Sequence, residues 1–230
     1  MSSESLSRDV TGDLTFDTLL SGGVLTETDD GGVDLSPGFR EAVAEGRRIA
    51  ETDGEARRAA VVERVGDEDA ADSLLAVCED DDLLARTLAL LDRTDLDVAD
   101  ALHLSATAID RLERPSQPSE GVPNAFVPVH GDRLPTLLEL HDRAVVYVWR
   151  LDCPPCDLVR ETLDDQFPEH PSDVALLAVY GPDSAAFLQD RYDVVAGPTT
   201  LFVIDGTVDA RLQGAFDDLV FENEIDVLRE

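Results

Sequence analysis

Across Arg114 to Pro123, RPSQPSEGVP, the spacing of apolar residues changes from a helical period to alternating strands and helices. The stretch is rich in Pro and Ser and lacks apolar periodicity, so it reads as a linker over 114–123. It divides the chain into a mainly helical domain over 1–113 and an α/β domain over 124–230. A chain of 230 residues is long enough for two small domains.

Before the linker, Ser36-Pro37 sets an N-cap ahead of proline at the first helical position and opens a helix to about Glu51. Helices are also expected over Glu55 to Val65, Asp69 to Glu79, Asp81 to Asp92 and Asp97 to Leu112, with a short one between Leu14 and Leu20. Val24 to Leu35 reads as a hairpin turning at Asp29-Asp30-Gly31-Gly32. Cys78 stands at helical spacing from Ala71, Leu74 and Leu75, as a buried small apolar residue does.

After the linker, Phe126 to Val129, Ala144 to Trp149, Val174 to Tyr180, Thr200 to Ile204 and Val208 to Gln213 are short, β-branched runs bounded by turn residues and read as strands. Helices fall between them over Leu134 to His141, Cys156 to Gln166, Ser184 to Tyr192 and Phe216 to Leu228. The order is βαβαβαββα. Asp205-Gly206 is a hairpin signal, and it makes the last strand pair antiparallel within an otherwise parallel sheet.

The charge is lopsided: 50 acids stand against 18 bases, and every base is arginine. The acids are spread over both halves, unlike the blocks of an interaction tail. At 1 M salt the Debye length shrinks to roughly 3 Å, so such a surface stops repelling itself while its carboxylates keep it hydrated. The composition therefore reads as adaptation to a concentrated-salt cytoplasm. The start, MSSESLSRDVTGD, has no basic segment followed by an apolar one, and the longest apolar runs fall far short of the roughly 20 residues that span a bilayer. A cytoplasmic protein without a membrane partner is expected.

Three cysteines cannot build a disulfide framework. Two of them lie in VVYVWRLDCPPCDLVRETL, where a strand gives way to a helix. That junction puts Cys153 at a helix N-terminus, where free N–H groups and the dipole favour a thiolate, and makes it the nucleophile. Cys156, one turn further in, is the shielded thiol that resolves a mixed disulfide. A zinc site needs a second pair or a nearby histidine; Cys78 lies in the other domain, and His141 and His170 have no ligand-like spacing to the pair. No metal or cofactor is expected. His103 and His130 also lack a neighbouring nucleophile, and Gly22-Gly23 and Gly31-Gly32 lack the lysine and strand context of a phosphate loop.

This stretch resembles the thioredoxin family. Trp149 stands four residues ahead of the first cysteine, as the family's tryptophan does, and Gly197-Pro198-Thr199-Thr200 matches its cis-proline segment just ahead of the Asp205-Gly206 hairpin. The likeness spans about Phe126 to Leu228. It implies a thioredoxin fold, a mixed central sheet flanked by helices, and a cis Pro198 that presses on the cysteine pair and offers backbone to an extended substrate segment. Trp149, Asp152, Pro154, Pro155, Gly197, Pro198 and Thr199 would then form the surface that receives substrate.

Several positions depart from the family. Asp152 replaces an aromatic before the first cysteine, and Asp157 replaces a base after the second, so two carboxylates flank the pair and oppose the thiolate. Tyr147 stands where the family buries an acid, and Leu176 is aligned with its lysine partner; water or Tyr147 is left to take the proton of Cys156. The Pro-Pro between the cysteines resembles tryparedoxins and nucleoredoxins. It removes a donor at Pro154 and points to a more reducing couple.

In the helical half, DVADALHLSATAIDRL over 97–112 resembles the helix-turn-helix of DNA-binding regulators. His103 takes the place of the turn glycine, and Ser105 would cap the second helix. Asp110 and Glu113 stand beside Arg111 and Arg114 where a phosphate-binding face carries a basic patch, which argues against nucleic acid. Two functions follow. One is a thiol-disulfide oxidoreductase that reduces protein disulfides, draws on an unidentified electron donor and docks partners through its helical half. The other is a redox-responsive regulator with a sensor domain. A protein-binding module with vestigial cysteines is a third option.

Overall fold

The computed structural model describes residues 16–230 other than Asp30 and Glu79. The expected helix start at Leu14, the hairpin residue Asp30 and the helix end at Glu79 lie outside the described residues. The chain divides into two compact units, Met1–Arg114 and Pro115–Glu230.

Within the first unit, helix α1 is described over residues 16–21, and strands β1 (Leu25–Glu27) and β2 (Val33–Leu35) pair antiparallel. Helix α2 (Pro37–Ala50) starts as its sequence dictates: Ser36 is extended and its hydroxyl accepts from the amide of Phe39 at 3.0 Å. Helices α3 (Gly54–Val65), α4 (Glu68–Val77) and α5 (Asp81–Arg93) follow, the last two capped by Asp67 and Asp80. Cys78 is buried at the end of α4. Phe39, Val43, Leu90, Ala101 and Ile109 belong to one apolar cluster.

The helix-turn-helix reading of Asp97–Leu112 is corrected by the next element. Helix α6 (Val98–Leu104) runs without a turn into a π-helical stretch, Ser105–Ile109, and on into α7 (Asp110–Glu113). Ser105 has φ −62° and ψ −42°, helical rather than capping angles. The sequence offers no Gly or Pro to break the rod. Thr107 turns its hydroxyl back to the carbonyl of His103, so the polar residues serve the helix instead of ending it.

The second unit is built on five strands: β3 (Val127–Val129), β4 (Arg143–Trp149), β5 (Ala175–Tyr180), β6 (Thr199–Ile204) and β7 (Thr207–Gln213), ordered β3-β5-β4-β6-β7. Strands β3, β5 and β4 are parallel, while β6 runs antiparallel to both β4 and β7. The expectation of one antiparallel pair in an otherwise parallel sheet is thereby corrected. The chain leaves helix α10 (Ala185–Tyr192) through a left-handed Asp193 and enters β6 from the opposite end of β4. Asp205 and Gly206 make the β6–β7 turn with φ of 46° and 71°, the pair of positive angles a tight hairpin needs.

Strand β4 is buried over its last six residues, so both faces must be covered. Val145, Tyr147 and Trp149 point to one face and share a core with Val159 and Leu163 of helix α9 (Pro154–Gln166) and Phe221 and Ile225 of α11 (Asp218–Leu228). Val148 points the other way, towards Ala185 and Leu188 of α10. Helix α8 (Leu134–Glu139) completes the unit. A mixed sheet flanked by helices, with β6 reversed and a closing hairpin and helix, is a thioredoxin fold. Among the described residues no helix is long and apolar enough to cross a membrane.

Candidate active site

Strand β4 ends at Trp149, and four residues carry the chain to α9. Asp152 makes the corner with φ 52°, a left-handed angle that Asp tolerates better than most residues. Cys153 is the N-cap of α9, with Pro154 and Pro155 in the first two helical positions. Neither proline has an N–H. The amide of Cys156 is the first in the helix able to reach the cap sulfur, and it donates to Sγ of Cys153 at 3.2 Å.

Cys153 and Cys156 are joined by a disulfide, with Cα atoms 5.2 Å apart, so the structure describes the oxidised form. The two are buried to a similar degree, 4 % and 3 % exposed. Their surroundings tell them apart. Cys156 lies on the inward stripe of α9 with Val159 and Leu163, whereas Cys153 is flanked by exposed Asp152 and Pro154. Sγ of Cys153 also lies 3.8 Å from the carbonyl oxygen of Gly197.

The Gly197–Pro198 peptide is cis, and Pro198 is buried. A Cβ at Gly197 would sit 3.2 Å from both the Trp149 Cα and the Val148 carbonyl oxygen, which is why glycine stands where the loop crosses β4. Thr199 is buried, and its hydroxyl donates to the Ala196 carbonyl at 2.6 Å, fastening the loop. Thus Cys153, Cys156, Gly197 and Pro198 come together, Asp152, Pro154 and Pro155 ring them at the surface, and Trp149 and Thr199 lie inside. On the other side of Gly197 is an apolar cavity of about 290 Å³ bordered by Pro182, Val195 and Ala196.

Three features had no local signal in the sequence. Trp149 is 2 % exposed, lies edge-on to Tyr180 and, among the described residues, finds no hydrogen-bond partner for its indole N–H. It is also covered by the loop that precedes β3. Gly121 lies so close to the indole ring that a Cβ there would overlap it, and the loop is held by the Asn124 amide donating to Asp164 and by Gln117 donating to Asp183. Third, Tyr147 donates its hydroxyl to the Cys156 carbonyl at 2.8 Å. Its strand partner is Ala178, and Leu176 pairs instead with Val145; either residue leaves Tyr147 without a charged neighbour across the strand.

Burial, with the Asp157 carboxylate adding to it, pushes the Tyr147 phenol well above its usual range. The neutral hydroxyl is a donor to Cys156 and a poor base, which removes it from the two groups considered as proton acceptors. Burial likewise pushes Tyr192 up to about 12. An acid whose folded pKa is raised contributes stability that is present below about pH 10, its unfolded value, and lost as pH rises further. Tyr147→Phe should therefore be less stable than wild type by about 1 kcal/mol near pH 8, from the lost hydrogen bond, and close that gap above pH 10. Urea unfolding followed by circular dichroism from pH 8 to 11 checks this, and a gap that widens with pH would refute it.

No family model matches the chain, and no curated protein does. Similar solved structures include a thioredoxin mutant from Halobacterium salinarum NRC-1, 19 % identical over 47 % of this chain and 94 % of that one, with a TM-score of 0.41. A Malassezia sympodialis thioredoxin is 19 % identical over 47 % of this chain and 96 % of its own, with a TM-score of 0.40. Mitochondrial thioredoxin 3 from Saccharomyces cerevisiae is 20 % identical over 45 % and 95 %, with a TM-score of 0.38.

Proposed function

We propose that the second unit is a thiol-disulfide oxidoreductase that reduces protein disulfides in a salt-rich cytoplasm. The observation that carries this reading is a bonded Cys153–Cys156 pair at the mouth of α9, with the Gly197 carbonyl 3.8 Å from the outer sulfur. In the reduced form the Cys153 thiolate attacks one sulfur of a partner disulfide. An S–S bond forms between the proteins, the partner's own S–S bond breaks, and its departing sulfur takes a proton from water. Cys156 then loses its proton to water and attacks Sγ of Cys153, which frees the second partner thiol and leaves the intramolecular disulfide. Two electrons have passed to the partner, and a dithiol donor must return them.

The first turn of α9 supports the reducing direction. With prolines at both leading positions, one amide rather than several stabilises sulfur as an anion, so the dithiol form holds its protons and gives up electrons more readily. The exposed rim of Asp152, Pro154 and Pro155, with the cavity beyond Gly197, is the surface offered to the partner. The helical unit serves as a docking module. A regulator built on a helix-turn-helix loses its motif, because Asp97–Leu112 is one rod.

A Cys156→Ser variant, unable to resolve, should accumulate partner proteins as mixed disulfides through Cys153, visible as dithiothreitol-sensitive bands at molar salt and identified by mass spectrometry. A variant that traps no more than Cys153→Ser/Cys156→Ser does would contradict the reading.

A further inference from the structure

Helix α9 has an outer face that the redox chemistry does not use. Leu158, two residues past Cys156, is 58 % exposed, and Phe216, in the loop before α11, is 44 % exposed. Both line an open groove of about 630 Å³ between α9 and that loop. Exposed apolar side chains in a groove with a polar rim mark an interaction surface. The rim here has one sign. Glu161 and Asp165 stand on the α9 side and Asp217 on the other, while among the described residues no arginine lines the groove. Thr162 donates to Asp218 at 2.9 Å and ties the two walls together.

These carboxylates differ from many others in the chain. Asp34, Asp72, Asp82, Asp92 and Asp164 each hold an arginine, and among the described residues no such ion pair is found for Glu161, Asp165 or Asp217. The lone arginine of α9, Arg160, is bound to Asp164. The groove thus joins an apolar floor to uncompensated negative charge a short way down the helix from the cysteine pair.

We infer that this groove docks a cationic, apolar segment of the disulfide-bearing partner, one in which arginine or lysine alternates with large apolar side chains. This rests on the reductase reading for the partner's identity, not for the docking itself. The apolar side chains cover Leu158 and Phe216, an attraction that high salt does not weaken, and the bases meet Glu161, Asp165 and Asp217 at contact distance, where a Debye length of roughly 3 Å still lets them act. Such a site selects partners by the residues around their disulfide rather than by the disulfide, and raises the local concentration of sulfur at Cys153.

The test uses the oxidised full chain and a fluorescein-labelled, cysteine-free peptide of alternating arginine and leucine, with fluorescence anisotropy read at 0.5 M and 3 M KCl. Leu158→Asp should weaken binding at least about tenfold, Phe216→Ser similarly, and a peptide with glutamate in place of arginine should not bind. Leu158→Asp separates docking from general attraction, because it makes the chain more acidic: unspecific attraction would grow, and groove docking must fall. Wild-type affinity in Leu158→Asp and Phe216→Ser, absence of binding to the arginine peptide, or equal binding of both peptides would each overturn the inference. Since the peptide carries no sulfur, its behaviour is independent of Cys153, and failure of docking is distinguishable from failure of the reductase reading.

Discussion

Cys153→Ser should abolish the reduction of insulin by dithiothreitol-fed protein at molar salt, a loss on the order of a thousandfold or more, because in the proposed mechanism Cys153 supplies the attacking sulfur. Cys156→Ser should lose turnover as well, yet still form one mixed disulfide per chain. That asymmetry follows from the structure. Cys156 is on the inward stripe of α9 beside Val159 and Leu163, whereas Cys153 ends β4's loop among exposed residues and abuts Gly197. A Cys156→Ser variant that forms no mixed disulfide, or activity in Cys153→Ser within tenfold of wild type, would mean that the pair is structural. The assay must be run in concentrated salt, since a chain with a formal charge of −32 is destabilised by self-repulsion in dilute buffer.

The largest expected change in stability lies in the first unit. Arg86, 5 % exposed, donates from Nη1 to Oδ1 of Asp110 at 2.7 Å, and its Nε lies 2.7 Å from Glu113; Asp110 itself is fully buried. Asp110 and Glu113 follow directly on the π-helical stretch, whose wider turn changes the rotation of the residues after it. Arg86→Met takes from the buried Asp110 carboxylate the cation 2.7 Å away, while Arg114 stays at 3.4 Å. Breaking such a pair from one side costs about 3–5 kcal/mol, while removing both charges costs far less. Urea unfolding monitored at 222 nm should show that deficit for Arg86→Met and recover most of it in Arg86→Met/Asp110→Leu. A single variant within 1 kcal/mol of wild type would show that the network contributes little.

What could be read in advance was what is local. Ser36-Pro37 announces α2, Asp205-Gly206 announces the hairpin, and CPPC after a β-branched run announces the strand-to-helix junction, because in each case neighbouring residues fix the backbone. The misread positions depend on distant partners. Ser105 is a good cap in isolation, yet without a helix breaker the rod continues through it and the π-turn is set by tertiary packing. The direction of β6 depends on how the loop 193–198 crosses β4, which strand spacing does not encode. Tyr147 looks like a lost acid in one dimension and is a hydrogen-bond donor to the Cys156 carbonyl in three. Leu158 and Phe216, 58 residues apart by number, share a groove only because α9 and α11 lie side by side.

The segment at 114–123 reads as a linker and has neither helix nor strand, but its backbone is the lid on the indole of Trp149, with Gly121 flush against the ring. A protein fragment begun at the first strand of the sheet would keep every element of secondary structure and still lack part of its interior wall. The completeness of the second unit's interior therefore rests on unstructured-looking residues, and the compact unit that includes them begins at Pro115.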